Sequence, residues 1–360
     1  MDLISLQPLW HEMDIRNQAH VSLARAKAAE ISRHLGFSQG KQGDIVLSVS
    51  EMAQNHVKHH TISGRIRFFG QRSSMGSIMS VSSLDMGPGI PHIKMALKDG
   101  ITSANGLGSG LGCIRRIADR FAICSGKLGE FPCPDLLGLE AESVTLVSAE
   151  FFQGKRLEFQ APVDFSYLIR PAKGESYCGD GVFFNSEPEV LAMVVIDALG
   201  HGREAADAVS RAVECLEMMP VNTNPVDMLL EAGRGLSRSR GISAQAVRVD
   251  IANRFIEVAA VGNVSQYLYI DGRARKISGH PGVLGPVISR SSISKETFHG
   301  INSVLGLIFT DGLGEVPKLK FQQSETSISA LLWVQYLFSC CSRGEISTDD
   351  ATLLVWKWQE

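Results

Sequence analysis

Asp85-Met86-Gly87-Pro88-Gly89-Ile90 and Gly106-Leu107-Gly108-Ser109-Gly110-Leu111-Gly112 are the two stretches that decide how the first half of this chain is read. The first sets a carboxylate against a glycine turn. The second is a glycine-dense loop that runs through Cys113-Ile114-Arg115-Arg116-Ile117-Ala118-Asp119 into a helix. A carboxylate can accept a hydrogen bond from a base. Glycines let backbone N–H groups come close to phosphates, and the N-terminus of the following helix favours their negative charge. Together the two stretches describe a nucleotide site.

Upstream, residues 43–59 read as a helix in which Glu51 and Asn55 stand four apart and share a face. A carboxylate and an amide there can position a hydroxyl and a magnesium ion. Alone, such a pair is an ordinary solvated helix face. Its order before the Asp85 turn and the glycine loop gives it meaning. Residues 19–35 read as a second amphipathic helix, with Val21, Ala24, Ala28, Ile31 and Leu35 at helical spacing. Strand patterns occupy residues 65–69, 77–84, 121–125 and 143–152, with a Pro/Gly-rich loop at 131–138.

The pattern changes near residues 153–162, which places two domains at 1–153 and 154–360. The second half is richer in strands: 165–169, 181–184, 191–196, 246–250, 255–260, 266–270, 303–310 and 351–358. Helical stretches at 203–217, 225–237 and 328–340 lie between them, so the fold class is α+β with two domains. Four acidic positions stand at strand ends there. Asp180 follows Cys178-Gly179, Asp197 opens Asp197-Ala198-Leu199-Gly200-His201-Gly202, Asp311 opens Asp311-Gly312-Leu313, and Asp349-Asp350 precede Ala351-Thr352. Any one of them reads equally as the cap of a turn. Four together, with no matching basic cluster, point to hard divalent cations in oxygen coordination.

Composition narrows the function classes. The 360-residue chain has a net charge of −3 and no long basic run, so neither nucleic acid nor a membrane surface is expected as a partner. Its seven cysteines include no CxxC pair and read as reduced thiols of a cytoplasmic protein. Asp2, Glu12 and Asp14 make the N-terminus unlike a signal peptide, and no apolar run reaches membrane-spanning length.

Two family resemblances rest on these residues. Val49-Ser50-Glu51-Met52-Ala53-Gln54-Asn55 is similar to the N box of the GHKL (Bergerat) ATPase fold in the small anti-sigma and switch serine kinases, the RsbT/RsbW type. The Asp85 stretch and the Gly106 loop are similar to that family's two glycine boxes. The resemblance implies ATP as cofactor. Asn55 would ligate Mg²⁺, Asp85 would read the adenine amino group, and Glu51 would act as general base toward a protein serine. Gly87, Gly89, Gly106, Gly108, Gly110, Leu111 and Gly112 would complete the nucleotide pocket. The family's Gly-Thr pair after the second glycine box is absent: Gly126-Lys127-Leu128-Gly129 stands there, with Thr145 further on as a candidate substitute.

The second half, from Phe165 to Trp358, resembles the PP2C-type serine/threonine phosphatases of the SpoIIE/RsbX branch. Gly179-Asp180, 197–202, Ala260-Val261-Gly262-Asn263, Gly282-Val283-Leu284-Gly285, Thr310-Asp311-Gly312 and Asp349-Asp350-Ala351-Thr352 recur in family order. The implied fold is an αββα sandwich behind a GHKL α/β sandwich. Asp180, Asp197, Asp311 and Asp349 would bind two Mn²⁺ or Mg²⁺ ions, with the Ala198 carbonyl as a further ligand. Asp197 and Asp311 would be central to catalysis. Asp349 is preferred to Asp350 by the family's spacing to the threonine. The implied partners are phosphoproteins of the STAS-domain, anti-sigma-antagonist or stressosome type. A homodimer is left open, as is the alternative that the GHKL domain only senses nucleotide or docks a partner without turnover.

Overall fold

The computed structural model describes residues 7–59, 61, 63–73, 76–98, 110–127, 143–154, 162–236, 240–285, 287–314, 316, 319, 328–341 and 348–359. The chain divides into two compact units, Pro8–Leu157 on one side and Met1–Gln7 with Glu158–Glu360 on the other. Among the described residues no helix is long and apolar enough to cross a membrane.

The N-terminal unit runs β1 (Leu9–Asp14), α1 (Gln18–His34), α2 (Gln39–Lys58), β2 (Ser63–Ser73), β3 (Gly76–Gly87), α3 (Ile93–Ala96), α4 (Gly110–Ile117), β4 (Arg120–Lys127) and β5 (Ser143–Gly154). Its strands form one antiparallel sheet in the order β1-β2-β3-β5-β4. The long helices bury their apolar stripes against it. Val21, Ala24, Ala28 and Ile31 of α1, Val49, Met52 and Ala53 of α2 and Ile114 of α4 meet Ile66, Phe68, Val81 and Phe151 of the sheet.

Asn17 caps α1 by accepting from His20 N–H, and Gly36 ends it at φ +77°. Helix α2 begins ahead of the Gly43 start expected from sequence. Ser38 caps it by accepting from Lys41 N–H, and packing carries the helix through Gly40 and Gly43 despite their low propensity. Strand β1 has only a short alternation that ends in Glu12 and Asp14, a weak strand signal in sequence. It is an edge strand whose Glu12 pairs with the buried Arg67 at 2.6 Å.

The C-terminal unit runs β6 (Asp164–Arg170), β7 (Asp180–Glu187), β8 (Val190–Ala198), α5 (Arg203–Glu217), α6 (Pro225–Arg234), β9 (Ile242–Asp250), β10 (Phe255–Val261), β11 (Ser265–Ile270), β12 (Arg273–Ser278), β13 (Ser294–His299), β14 (Ser303–Phe309), α7 (Ala330–Cys341) and β15 (Ala351–Gln359). Two five-stranded sheets result, ordered β13-β10-β9-β8-β7 and β12-β11-β14-β15-β6. Helices α5 and α6 cover the first, and α7 covers the second. Gln245 of β9 donates to Gln266 of β11 at 2.6 Å in the interior, which joins the two sheets face to face. The layers are therefore αββα. Strands β12 and β13 carry no apolar alternation, because their side chains are mostly exposed and polar.

Candidate active sites

In the N-terminal unit, Asp85 lies within β3, one strand position before Met86 and Gly87, and not in the turn itself. The chain leaves the sheet at Pro88 and bends at Gly89, where φ is +72°. Ladder pairing continues to Gly87 opposite Ser143, which is why the turn starts later than the glycines suggest. Register sets Asp85 between Gly64 of β2 and Thr145 of β5. Burial pushes its carboxyl up to about 7.

Thr145 stands beside Asp85 although it is distant from the second glycine stretch in sequence. Its hydroxyl meets that of Ser125 at 2.8 Å, and Ser125 Oγ accepts from Ile90 N–H at 2.8 Å. No local pattern in the sequence marks Ser125; the pairing of β4 with β5 sets it opposite Thr145.

On α2, Glu51 reaches the start of α4: a Cβ at Gly110 would lie 2.6 Å from Glu51 Oε2. The glycine lets the helix begin against the carboxylate. Asn55, one turn on, is half-buried, and its carbonyl accepts from His59 N–H at 3.0 Å. Leu111 packs against the core and Gly112 is buried in α4. Gly106 and Gly108 lie outside the described residues. His56 is buried, with Nε2 2.9 Å from Ser83 Oγ and Nδ1 3.4 Å from Thr61 Oγ1, and burial depresses its pKa to about 4. Gly64 accommodates this ring, since a Cβ there would overlap it.

In the C-terminal unit, Asp180 at the start of β7 pairs directly with Asp197 near the end of β8. Asp180 is buried, and Thr310 Oγ1 donates to its Oδ2 at 2.7 Å. Thr310 is itself tied to β15, accepting from Thr352 N–H at 2.8 Å. Burial and the neighbouring Asp197 carboxylate hold the Asp180 carboxyl well above the usual range. Burial, then Asp311 and Asp349, push Asp197 up to about 7. Asp311 accepts from Asn263 Nδ2 at 2.6 Å, which brings in the Gly262-Asn263 turn. Ala198 follows on β8, its N–H donating to Gly179 O at 2.8 Å.

The adjacent aspartates divide their work. Asp350 is buried and accepts from Ala172 N–H and Gly179 N–H, each at 2.7 Å. Both its oxygens are therefore occupied in tying two backbone segments together. Asp349 is less buried and accepts from Asp350 N–H at 2.9 Å. Gly312 is required here because a Cβ would run into Asp350 O. Cys178 is buried with its thiol pushed far up by burial and by Asp180, which suits an inert side chain. His201 Nδ1 faces Glu175 Oε1 at 2.9 Å. The guanidinium of Arg170 stacks over Phe338, in the α7 layer. Gln7, which belongs to this unit, accepts from Cys178 N–H through Oε1 at 2.8 Å.

Among the described residues no three carboxylate, imidazole or thiol side chains close around a single point as a ready metal shell. The donor set is nonetheless hard oxygen throughout, and the charges that press on Asp197 are other carboxylates. Carboxylates whose charges press on one another, with Asp180 buried among them, are stabilised by divalent cations. The residues fit the metal by their chemistry.

Residues 16–130 match the family model of the histidine kinase-like ATPase domain, and residues 187–359 match that of stage II sporulation protein E (SpoIIE). Asp180 lies just ahead of the second span. The serine/threonine-protein kinase RsbT of Bacillus subtilis (strain 168) is 30% identical over 113 residues, covering 31% of this chain and 83% of RsbT. The structure of RsbX in complex with magnesium is 20% identical over 54% of this chain and 94% of its own, with a TM-score of 0.45. The phosphatase domain of Bacillus subtilis SpoIIE with a fragment of its regulatory domain is 13% identical over 94% of this chain and 95% of its own, also at 0.45. The chain belongs to the RsbT family of histidine kinase-like ATPases through its N-terminal unit, and the match to SpoIIE lies in its C-terminal unit.

Proposed function

We propose that this chain is a bifunctional regulator that binds ATP–Mg²⁺ in one unit and removes phosphate from serine or threonine of a partner protein with the other. The observations that support the phosphatase half are the direct pairing of Asp180 with Asp197 across β7 and β8 and the pressure of the Asp311 and Asp349 charges on Asp197. Asp180, Asp197, Asp311, Asp349 and the Ala198 carbonyl would hold two Mn²⁺ or Mg²⁺ ions. When bound, such ions make hydroxide available near neutral pH and neutralise phosphate charge. The chain's own part is to aim these oxygens: Thr310 and the β7–β8 register orient Asp180, Asn263 orients Asp311, and Asp350 draws residues 172 and 179 into place. No side-chain nucleophile is needed, in keeping with the inert Cys178.

In the ATP-binding half, Asp85 with Thr145 and Ser125 reads the adenine edge, Gly87 and Gly89 shape the turn beside it, and Asn55 holds Mg²⁺. Gly106, Gly108, Gly110, Leu111 and Gly112 cover the phosphates. Glu51 would take the proton of an attacking serine. The likeness to RsbT favours STAS-domain or stressosome-type regulators as partners, in the cytoplasm.

The test uses the full chain with a serine-phosphorylated STAS-domain protein. Phosphate release requires Mn²⁺ or Mg²⁺ and falls at least about a hundredfold in Asp197→Ala and Asp311→Ala. Equal rates in wild type and both variants overturn the phosphatase reading. Separately, Asp85→Asn weakens ATP binding by about tenfold, or 1.4 kcal/mol. Transfer from labelled ATP to the unphosphorylated partner, lost in Glu51→Gln with ATP binding kept, identifies a kinase. Binding without transfer leaves a nucleotide sensor.

A further inference from the structure

The loop after Asp197 owes its shape to two residues from the far side of α6. Leu199 N–H donates to Gly241 O at 3.0 Å. That N–H shares a planar trans peptide with the Ala198 carbonyl, so the carbonyl is turned away from Gly241. The next carbonyl, that of Leu199, accepts from Arg240 Nη1 at 2.9 Å. Both peptide groups around Leu199 are thereby fixed from the start of β9.

Arg240 also grips the first turn of α5: its Nε and Nη2 donate to Glu204 Oε2 at 3.1 and 2.8 Å. Its guanidinium lies over Gly200, which adopts φ +78° and where a Cβ would overlap Nη1. The loop thus gives up a side chain to admit the arginine. The Arg240–Glu204 pair is well exposed, and exposed pairs of this kind contribute little to stability. Its consequence is geometric: one planar fork spans a carbonyl and a carboxylate, a match that a point charge cannot reproduce.

We propose that Arg240 is a positioning residue of the phosphatase centre: by holding the Leu199 carbonyl it fixes the peptide next to the one Gly241 holds, so that the Ala198 carbonyl is presented to the metal ion. The inference rests on the two-metal reading above. It is tested on the full chain by calorimetric titration with Mn²⁺ alone, beside phosphatase assays on the phosphorylated STAS-domain protein. Arg240→Ala weakens Mn²⁺ binding by about tenfold or more, the loss expected when support for a metal ligand is removed. The metal-free melting temperature stays that of wild type, and kcat falls while KM holds.

Wild-type Mn²⁺ affinity in Arg240→Ala overturns the inference and leaves the phosphatase reading standing. A wild-type chain that binds no Mn²⁺ overturns the two-metal reading and the inference with it. If Arg240→Ala does not fold, Arg240→Gln replaces it, since it lacks the second grip on Glu204. Weakened Mn²⁺ binding in that variant supports the role, and unchanged binding overturns it.

Discussion

Neighbouring residues of one chemical type do different work here, and their surroundings explain why. Asp350 saturates both oxygens with backbone N–H groups, while Asp349, one residue earlier, stands with the carboxylates that face Asp197. Asn55 and His56 diverge in the same way, one half-buried on the helix face and the other sealed beneath Gly64. The His56 environment has a pH consequence. Its folded-state pKa, about 4, lies below the ordinary 6.5, so the fold favours the neutral ring. That stabilisation is full above 6.5 and is lost as pH falls through 4. The displacement corresponds to about 3 kcal/mol. Thermal unfolding of the full chain between pH 7.5 and 4 will show the N-terminal unit losing stability more steeply in wild type than in His56→Gln. Parallel pH profiles would refute the assignment.

Turns between strands carry the unusual backbone. Asp271 and Gly272 join β11 to β12 with φ of +46° and +80°, the paired left-handed conformation that suits a two-residue hairpin. Asp271 Oδ1 accepts from Ser303 N–H at 2.8 Å and Asn302 N–H at 3.2 Å, which fastens the hairpin to the start of β14. Arg254, at φ +51° in the β9–β10 turn, reaches the same place by donating to Ile301 O at 3.0 Å and to Asn302 Oδ1. One polar clasp therefore links turns from both sheets, at the end of β14 opposite Thr310. Asp271→Ala loses the acceptor and strains the turn, destabilising by about 2 kcal/mol. Asp271→Asn tolerates the left-handed backbone and keeps an acceptor, so it loses less than half of that. Urea denaturation of wild type and the two variants decides; midpoints equal to that of wild type would show that the clasp contributes nothing.

A wholly buried polar contact lies between the two sheets of the sandwich. Gln245 and Gln266 are wholly buried and face each other across the two sheets. Among the described residues, Gln245 Oε1 and Gln266 Nε2 have no further partner. A buried polar pair is stable only while both halves remain. Gln245→Leu alone strands the second amide and destabilises by about 2–3 kcal/mol. Gln245→Leu with Gln266→Leu recovers most of that, because neither amide is then left unpaired. The double-mutant cycle is read by calorimetric melting, and simple additivity would remove the pair from the account.

Much of both units was legible because its signals are local. Helical spacing located α1, α5 and α6 closely, and apolar runs located β8, β14 and β15. The order of Glu51, Asn55, Asp85 and the Gly106 loop pointed to the ATPase family, and the aspartates at strand ends pointed to the phosphatase. Local signals thus specified the pair of folds and the candidate residues for their chemistry. Tertiary structure alone decided which residues meet: Thr145 and Ser125 beside Asp85, Asp350 across 178 residues to Ala172, and Arg240 across 41 to Leu199. The physical reason is that hydrophobic periodicity is written over a few residues. Strand register and loop closure are set by packing between segments far apart in the chain, and no short stretch records them.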